Sequence, residues 1–347
     1  MNLPKHILVI RLSAPGDVAM TIPVLHSFQK RYPSVKLTIL TSRRLLPLFK
    51  GLNASLYFAE TKSEHKGFAG LFKLFKQLNR LDNTTPIDAV ADLHNVLRSQ
   101  VVRGLYKIKG VKTAAIDKGR AGKKELTRKK DKILKQLPST FDRYKTVFEE
   151  LGFNFEFDFK IILPGNNALP EKIKSIIDRK EKRWIGIAPF AAYNEKMYPL
   201  DLMEKVVEEL YADSSLQMIF FGSKEDGEVL VKWQEKFPGI VIAAGKFSIE
   251  EELELMSQLN VMISMDSANM HFASLVNVPV VSVWGATHPF AGFMGWGQSI
   301  DNAAQIDLYC RPCSVFGNKP CYRGDHACMK NLSPAIIIGK VKDLVSN

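Results

Sequence analysis

Short apolar runs alternate along the chain with segments whose apolar residues recur every three or four positions. Residues 6–12 (HILVIRL) suit a buried strand. Val18, Ile22, Leu25 and Phe28 then follow a helical period through residues 18–32, and Pro33 stops it. Residues 35–40 read as the next strand, 45–49 as a short helix and 55–58 as a short strand. Residues 67–81 place Phe68, Leu71, Phe72, Phe75 and Leu78 on one side of a helix. A strand over 87–93 leads into a helix that opens at residues 94–99, and another helix is expected over 141–151.

The second half repeats this logic. Strands are expected over 184–188, 217–221 and 240–243, with an amphipathic helix over 200–211. Ser248 and Glu251 form a capping box for a further helix. Residues 261–285 read as strand, polar turn, helix and strand, with Asp266, Ser267 and Asn269 in the turn. A last amphipathic helix spans 334–345. Strands alternating with helices predict an α/β protein built of two doubly wound parallel sheets. The Pro/Gly/Asn-rich residues 163–168 are the expected linker.

In a doubly wound sheet, ligands gather beyond the carboxyl ends of the strands. The loop at residues 13–17 (SAPGD) occupies such a place and is not GxGxxG, which disfavours a dinucleotide. Asp17 there serves either as a helix cap or as a chemical group. The helix after Asp266 aims N–H groups and a partial positive charge at one point, a seat for phosphate, and His271 adds a donor. The plainer reading is an ordinary polar turn with a satisfied histidine. Arg98, near a strand end, suits either an anionic acceptor or a solvated helix surface.

The net charge of +12 is uneven: residues 101–150 hold 15 Lys and Arg against 6 Asp and Glu. Residues 117–132 are expected to be exposed, as a flexible or helical segment. Such a patch fits anionic lipid headgroups, a phosphorylated sugar or nucleic acid, or else is a solvated face. No apolar run of about 20 residues is present, and the first residues make a poor secretory signal, so a cytoplasmic protein is expected. The four cysteines, Cys310, Cys313, Cys321 and Cys328, are spaced C-x2-C-x7-C-x6-C. Structural zinc, reduced thiols and disulfides are all open to them.

Three segments together resemble the ADP-heptose:lipopolysaccharide heptosyltransferases of glycosyltransferase family nine: ILVIRLSAPGDVAMTIPVL, NEKMYP and MDSANMHFASLVNVPVVSVWGATHP. The resemblance covers most of the chain. It implies a GT-B architecture of two Rossmann-like domains facing each other across a cleft. Residues 1–165 would bind the acceptor and 166–332 the nucleotide sugar, with a helix over 333–347 packing back on the first domain. It implies an inverting, metal-independent transfer of heptose from ADP-heptose to the inner core of lipopolysaccharide, with no cofactor, at the inner face of the inner membrane.

Carried onto this chain, the family's catalytic aspartate is Asp17 and its phosphate-binding lysine is Lys196. The residues near the donor diphosphate are Asp266, Ser267 and His271, Phe247 flanks adenine, and Arg98 contacts the acceptor. Ala268 stands where a glycine is usual, and Ala191 and Ala192 stand where hydroxyl residues often precede the lysine. These departures leave the donor open, so a GT-B transferase using another nucleotide sugar is the first alternative. A basic nucleotide- or nucleic-acid-binding protein without enzymatic activity is the second, although interleaved basic and aromatic motifs are lacking.

Overall fold

Every strand pairing among the described residues is parallel. The structure, a computed structural model, describes residues 3–81, 84–162, 171–174 and 182–346. These form two units, one from Met1–Lys118 and Thr140–Ile162, the other from Gly119–Ser139 and Leu163–Asn347. The expected linker at 163–168 lies outside the described residues.

The first unit holds β1 (His6–Ile10), β2 (Lys36–Thr41), β3 (Ala54–Phe58), β4 (Ala89–Asp92) and β5 (Lys112–Ala115) in the order β3-β2-β1-β4-β5. Its helices are α1 (Pro15–Ala19), α2 (Thr21–Arg31), α3 (Gly67–Leu78) and α4 (Leu97–Ile108). Helix α5 (Arg120–Leu126) lies in the crossing segment, and α6 (Thr140–Glu150) returns to the first unit. Leu8 and Ile10 of β1 share a core with Leu71, Leu74 and Leu78 of α3 and Val102 and Tyr106 of α4. On α2, Phe28 packs with Phe148 of α6 and with Phe153 and Phe155 beyond it.

The second unit holds β6 (Arg183–Ala188), β7 (Leu216–Phe220), β8 (Val241–Ile242), β9 (Val261–Met265), β10 (Val280–Val283) and β11 (Ala303–Ala304) in the order β11-β10-β9-β6-β7-β8. The short helix α7 (Glu171–Lys174) precedes β6. Helices α8 (Leu200–Tyr211), α9 (Gly227–Lys236), α10 (Ile249–Met256) and α11 (Ala268–Leu275) connect the strands. The chain ends in α12 (Ala327–Lys330) and α13 (Pro334–Ser346). Ser248 and Glu251 close the expected capping box on α10. Each sheet thus has the doubly wound order in which succession reverses once, at β1/β4 and at β6/β9.

Several expectations change. The helix over 18–32 is two helices meeting at Met20, because Pro23 lacks the N–H that would bond the carbonyl four residues back. The basic segment leaves the first unit and packs within the second. Buried Lys123 lays its ammonium 4.3 Å from the Phe293 ring centre, using its long stem as apolar surface. Lys132 donates to the carbonyls of Cys310 (3.0 Å) and Pro312 (2.5 Å), and the Leu137 amide to Phe290 O at 2.9 Å. Part of the expected exposed patch is therefore used internally. Helix α13 buries Ile337 and Val341 among α8, β9, β10 and β11 of the second unit.

Candidate functional site

Each switch point carries charged side chains, and the first is built on β1. Arg11 follows the last residue of that strand and is buried. Its Nη1 donates to Leu93 O at 2.8 Å, past the end of β4, and its Nη2 lies 2.5 Å from Oδ2 of Asp17. The Tyr144 ring lies 5.9 Å from the guanidinium carbon, and the Tyr144 hydroxyl donates to the backbone carbonyl of Asp17 at 3.2 Å. Asp17 is in the first turn of α1, where a carboxylate suits the helix dipole. Its Oδ2 also accepts from the Ala14 amide at 3.4 Å. The cap reading and the chemical reading of Asp17 are thus compatible. The Asp17 side chain is 33% exposed and that of Arg11 9%, so the carboxylate is gripped from one side and open on another.

His94 lies beside this pair. Asp92 ends β4, and its Oδ1 accepts from the amides of His94 (3.1 Å) and Asn95 (2.7 Å), a turn that fixes the histidine backbone. The imidazole Nδ1 accepts from the Leu12 amide at 3.4 Å, which leaves the proton of the neutral ring on Nε2. Burial, then the charges of Arg11 and Lys118, push His94 down to about 4. At neutral pH it is an uncharged ring. Arg98 adds to the same effect, so it lies in the field of His94. It is exposed in the first turn of α4, where a cation opposes the helix dipole; helix stability does not explain it.

The second switch point joins Lys196 and Asp266. The loop after β6 makes a short turn at Asn194–Lys196. Lys196 Nζ lies 3.0 Å from Oδ2 of Asp266, the residue that follows β9. Ser267 is the N-cap of α11, with its Oγ 3.3 Å from Ser264 Oγ and no hydrogen bond to the helix. The first-turn amides of α11 therefore do not have their N-cap side chain as acceptor. Ala268 opens that helix, and His271, one turn in, is buried. Phe247 is half-buried in the loop after β8. It shares the carboxyl edge of the sheet, but β8 is three strands from β9, so it marks the far side of that edge.

A cysteine-bearing loop supports Lys196. Gly317 has φ +71°, and a Cβ there would overlap Cγ of Lys196. The amides of Cys313 and Ser314 donate to Ala286 O at 3.0 and 3.1 Å. Buried Arg311 donates to the carbonyls of Gly285 (2.6 Å), Trp284 (3.1 Å), Thr287 (3.2 Å) and Ile306, and to Oε1 of Gln305 (2.9 Å). The four cysteines are free thiols near enough to influence one another. Among the described residues, no group of three or more His, Cys, Asp or Glu side chains is arranged to hold a metal ion.

Sequence reasoning missed Arg11, His94 and Tyr144 at the first site and Arg311 and Gly317 at the second. One signal was legible: an arginine closing an apolar strand, as in HILVIRL, needs a partner.

Comparison with known proteins identifies the family and the fold. Residues 71–320 match the family model described as glycosyltransferase family 9 (heptosyltransferase). The lipooligosaccharide heptosyltransferase 2 of Campylobacter jejuni is 22% identical over 339 residues, covering 96% of each chain. A family 9 glycosyl transferase from Veillonella parvula superposes with a TM-score of 0.75 at 20% identity, covering 100% of this chain and 99% of the other. The ADP-heptose LPS heptosyltransferase II of Escherichia coli does so at 0.71 and 17% identity, covering 98% of each. The fold is that of these GT-B enzymes.

Proposed function

From the premise that this chain belongs to glycosyltransferase family 9, we propose that it moves a heptose from ADP-heptose onto the inner core of lipopolysaccharide, inverting the anomeric carbon without a metal ion. The observation that carries the reading is the division of charge between the two switch points. One presents an open carboxylate on a fixed guanidinium, the other an ammonium beside a helix N-terminus.

A sugar hydroxyl is a poor nucleophile at neutral pH. Asp17 accepts its proton as the acceptor oxygen bonds to the anomeric carbon, a contribution of roughly 10²–10⁴-fold. The bond from that carbon to the diphosphate breaks in the same step, and ADP leaves with the electron pair. Attack from the side opposite the leaving group inverts the centre. Negative charge grows on the diphosphate, where Lys196 and the first-turn amides of α11 offset it. Lys196 thus supplies at the leaving group the positive charge that a divalent ion supplies in other transferases.

Asp266, Ser267, Ala268 and His271 line the diphosphate end of the donor, Phe247 its adenine, and Arg98 an anionic group of the acceptor. Such an acceptor is anchored in a bilayer, so the enzyme works as a peripheral protein on the inner face of the inner membrane. None of the described helices is long and apolar enough to cross a membrane.

Calorimetry with ADP-, UDP- and GDP-sugars, followed by transfer onto lipopolysaccharide core in the presence and absence of EDTA, tests the reading. Selective binding of ADP-heptose and EDTA-resistant transfer are expected. Preference for a UDP- or GDP-sugar would replace the donor, an outcome to which Ala268, Ala191 and Ala192 at the donor-side positions give weight.

A further inference from the structure

Helices α3 and α4 pack side by side in the first unit. Their inward residues are buried in the core described above, yet each helix carries a second apolar stripe. On α3, Phe68 and Phe72 lie one turn apart and are 68% and 40% exposed. On α4, Leu97 and Ile108 are 77% and 85% exposed, with half-buried Val101 and Leu105 between them. Positions 97, 101, 105 and 108 share one side of a helix by their spacing. Phe72 stacks on Phe75 at 6.2 Å, and Phe75 reaches inward to meet the ring of the core residue Tyr106 edge-on at 4.9 Å.

The stripes have cationic surroundings. The 24 residues of α3 and α4 contain five Lys and Arg and no Asp or Glu. Lys76 holds its ammonium 4.7 Å from the Phe72 ring centre, and Lys109 lies 5.6 Å from that of Phe75. Lys66 and Lys107 are exposed nearby in sequence. Glu64, which precedes α3, is paired with Lys73 at 3.1 Å.

We propose that the outer face of α3 and α4 is a docking surface for an anionic phospholipid bilayer. Phe68, Phe72, Leu97 and Ile108 enter the boundary between headgroups and acyl chains, and the lysines meet the lipid phosphates. The chemistry separates a bilayer from a protein partner. Protein interface cores exclude lysine, whereas helices lying on membranes combine aromatic and leucine faces with a lysine- and arginine-rich border. Lysine stems extend along apolar surface and keep their ammonium groups at phosphate depth.

The position of the face fits its use. Helix α4 is about 18 Å long at 1.5 Å per residue. Its first turn carries Arg98, in the field of His94, and its last turn carries Ile108. A bilayer-anchored acceptor would thus meet the acceptor-binding end of the same helix. This deepens the proposed function and rests on it for its purpose, while the vesicle-binding measurement itself needs neither substrate.

The test is flotation of the full chain with vesicles of phosphatidylcholine alone or with about 30% phosphatidylglycerol. Wild type should bind the anionic vesicles at least about tenfold more tightly than the neutral ones, and added salt should weaken that binding. The double variants Phe68→Ser/Phe72→Ser and Lys76→Glu/Lys107→Glu should each lower anionic binding by about tenfold or more. Both variants should keep their far-UV spectrum, their melting temperature and their transfer to a soluble, lipid-free core acceptor. Wild type that ignores anionic vesicles, or folded variants that bind them like wild type, would overturn the proposal. Vesicle binding without any sugar transfer would sink the enzymatic reading alone; transfer without vesicle binding would sink the docking surface alone.

Discussion

Nη2 of Arg11 lies 2.5 Å from Oδ2 of Asp17, and neither partner hangs free. The guanidinium is tied to Leu93 O and lies beside Tyr144, and the Asp17 backbone is tied to the Tyr144 hydroxyl. A carboxylate that must meet one hydroxyl in one orientation gains from such fixing, because misplacement by an ångström is costly in rate.

Asp17→Asn keeps the shape and removes the carboxylate proposed as the base. Turnover should fall by about 100-fold or more while ADP affinity stays unchanged. Arg11→Lys keeps the charge but loses the planar fork that reaches Leu93 O and Asp17 together, so kcat should fall by about tenfold with little change in the donor KM. Steady-state kinetics and calorimetry on both variants check this. Near wild-type turnover in Asp17→Asn would remove it from the mechanism.

At the second switch point, Lys196→Ala should weaken ADP binding by about 10- to 100-fold, the size of a lost hydrogen bond to a charged group. Gly317→Ala should act in the same direction with every charge intact, because the new Cβ displaces the Lys196 stem. It should also lower stability by about 1–3 kcal/mol, since the position combines a left-handed backbone with close packing. Titration calorimetry with ADP separates the two. Unaltered affinity in Gly317→Ala would mean that the loop does not set the lysine.

Much of this was legible in the sequence. Apolar runs located nine of the eleven strands among the described residues, because a buried parallel strand is apolar on both faces. Strand β5, KTAA, and the two-residue β11 escaped because edge strands need neither length nor apolarity, and β3 was marked one residue short. Helix α9 escaped because it buries only Leu230 and Trp233. The Asp266-to-Val283 motif and the loop at Asp17 carried their chemistry locally, in a strand end followed by a helix start. Arg11 with Leu93, or Gly317 with Lys196, join residues 82 and 121 positions apart, and no local pattern encodes such pairs. The basic segment misled because charge along a sequence does not reveal that Lys123 lies over aromatic rings.

His94 gives the first unit a pH dependence. Its folded pKa is lowered to about 4, chiefly by burial, below the ordinary 6.5. Between those values the unfolded chain binds a proton that the folded chain does not, so stability rises with pH through the window and is lost as pH falls toward 4. The loss should be on the order of 2 kcal/mol. His94→Gln should flatten this part of the profile. Urea unfolding of wild type and variant at pH 7 and near pH 4.5 measures it; equal losses in the two would rule His94 out as the source.

Arg311 is the pin of the loop that carries the cysteines. Burial lowers its pKa from the usual guanidinium range, an effect opposed by Asp307 and the neighbouring thiols, and five acceptors share its protons. Arg311→Met leaves those carbonyls without their donor in a buried place, and stability should fall by about 3–5 kcal/mol. Thiol chemistry reports the same event locally. Burial pushes Cys328 up to about 11, so at pH 8 only about one molecule in a thousand holds the reactive thiolate there. A disulfide reagent should therefore modify Cys328 slowest in the native wild type, after the partly exposed Cys313 and Cys321. In Arg311→Met the slow phase should merge with the fast ones before global unfolding sets in. A variant that keeps both the wild-type melting temperature and the slow phase would show that the loop stands without its arginine.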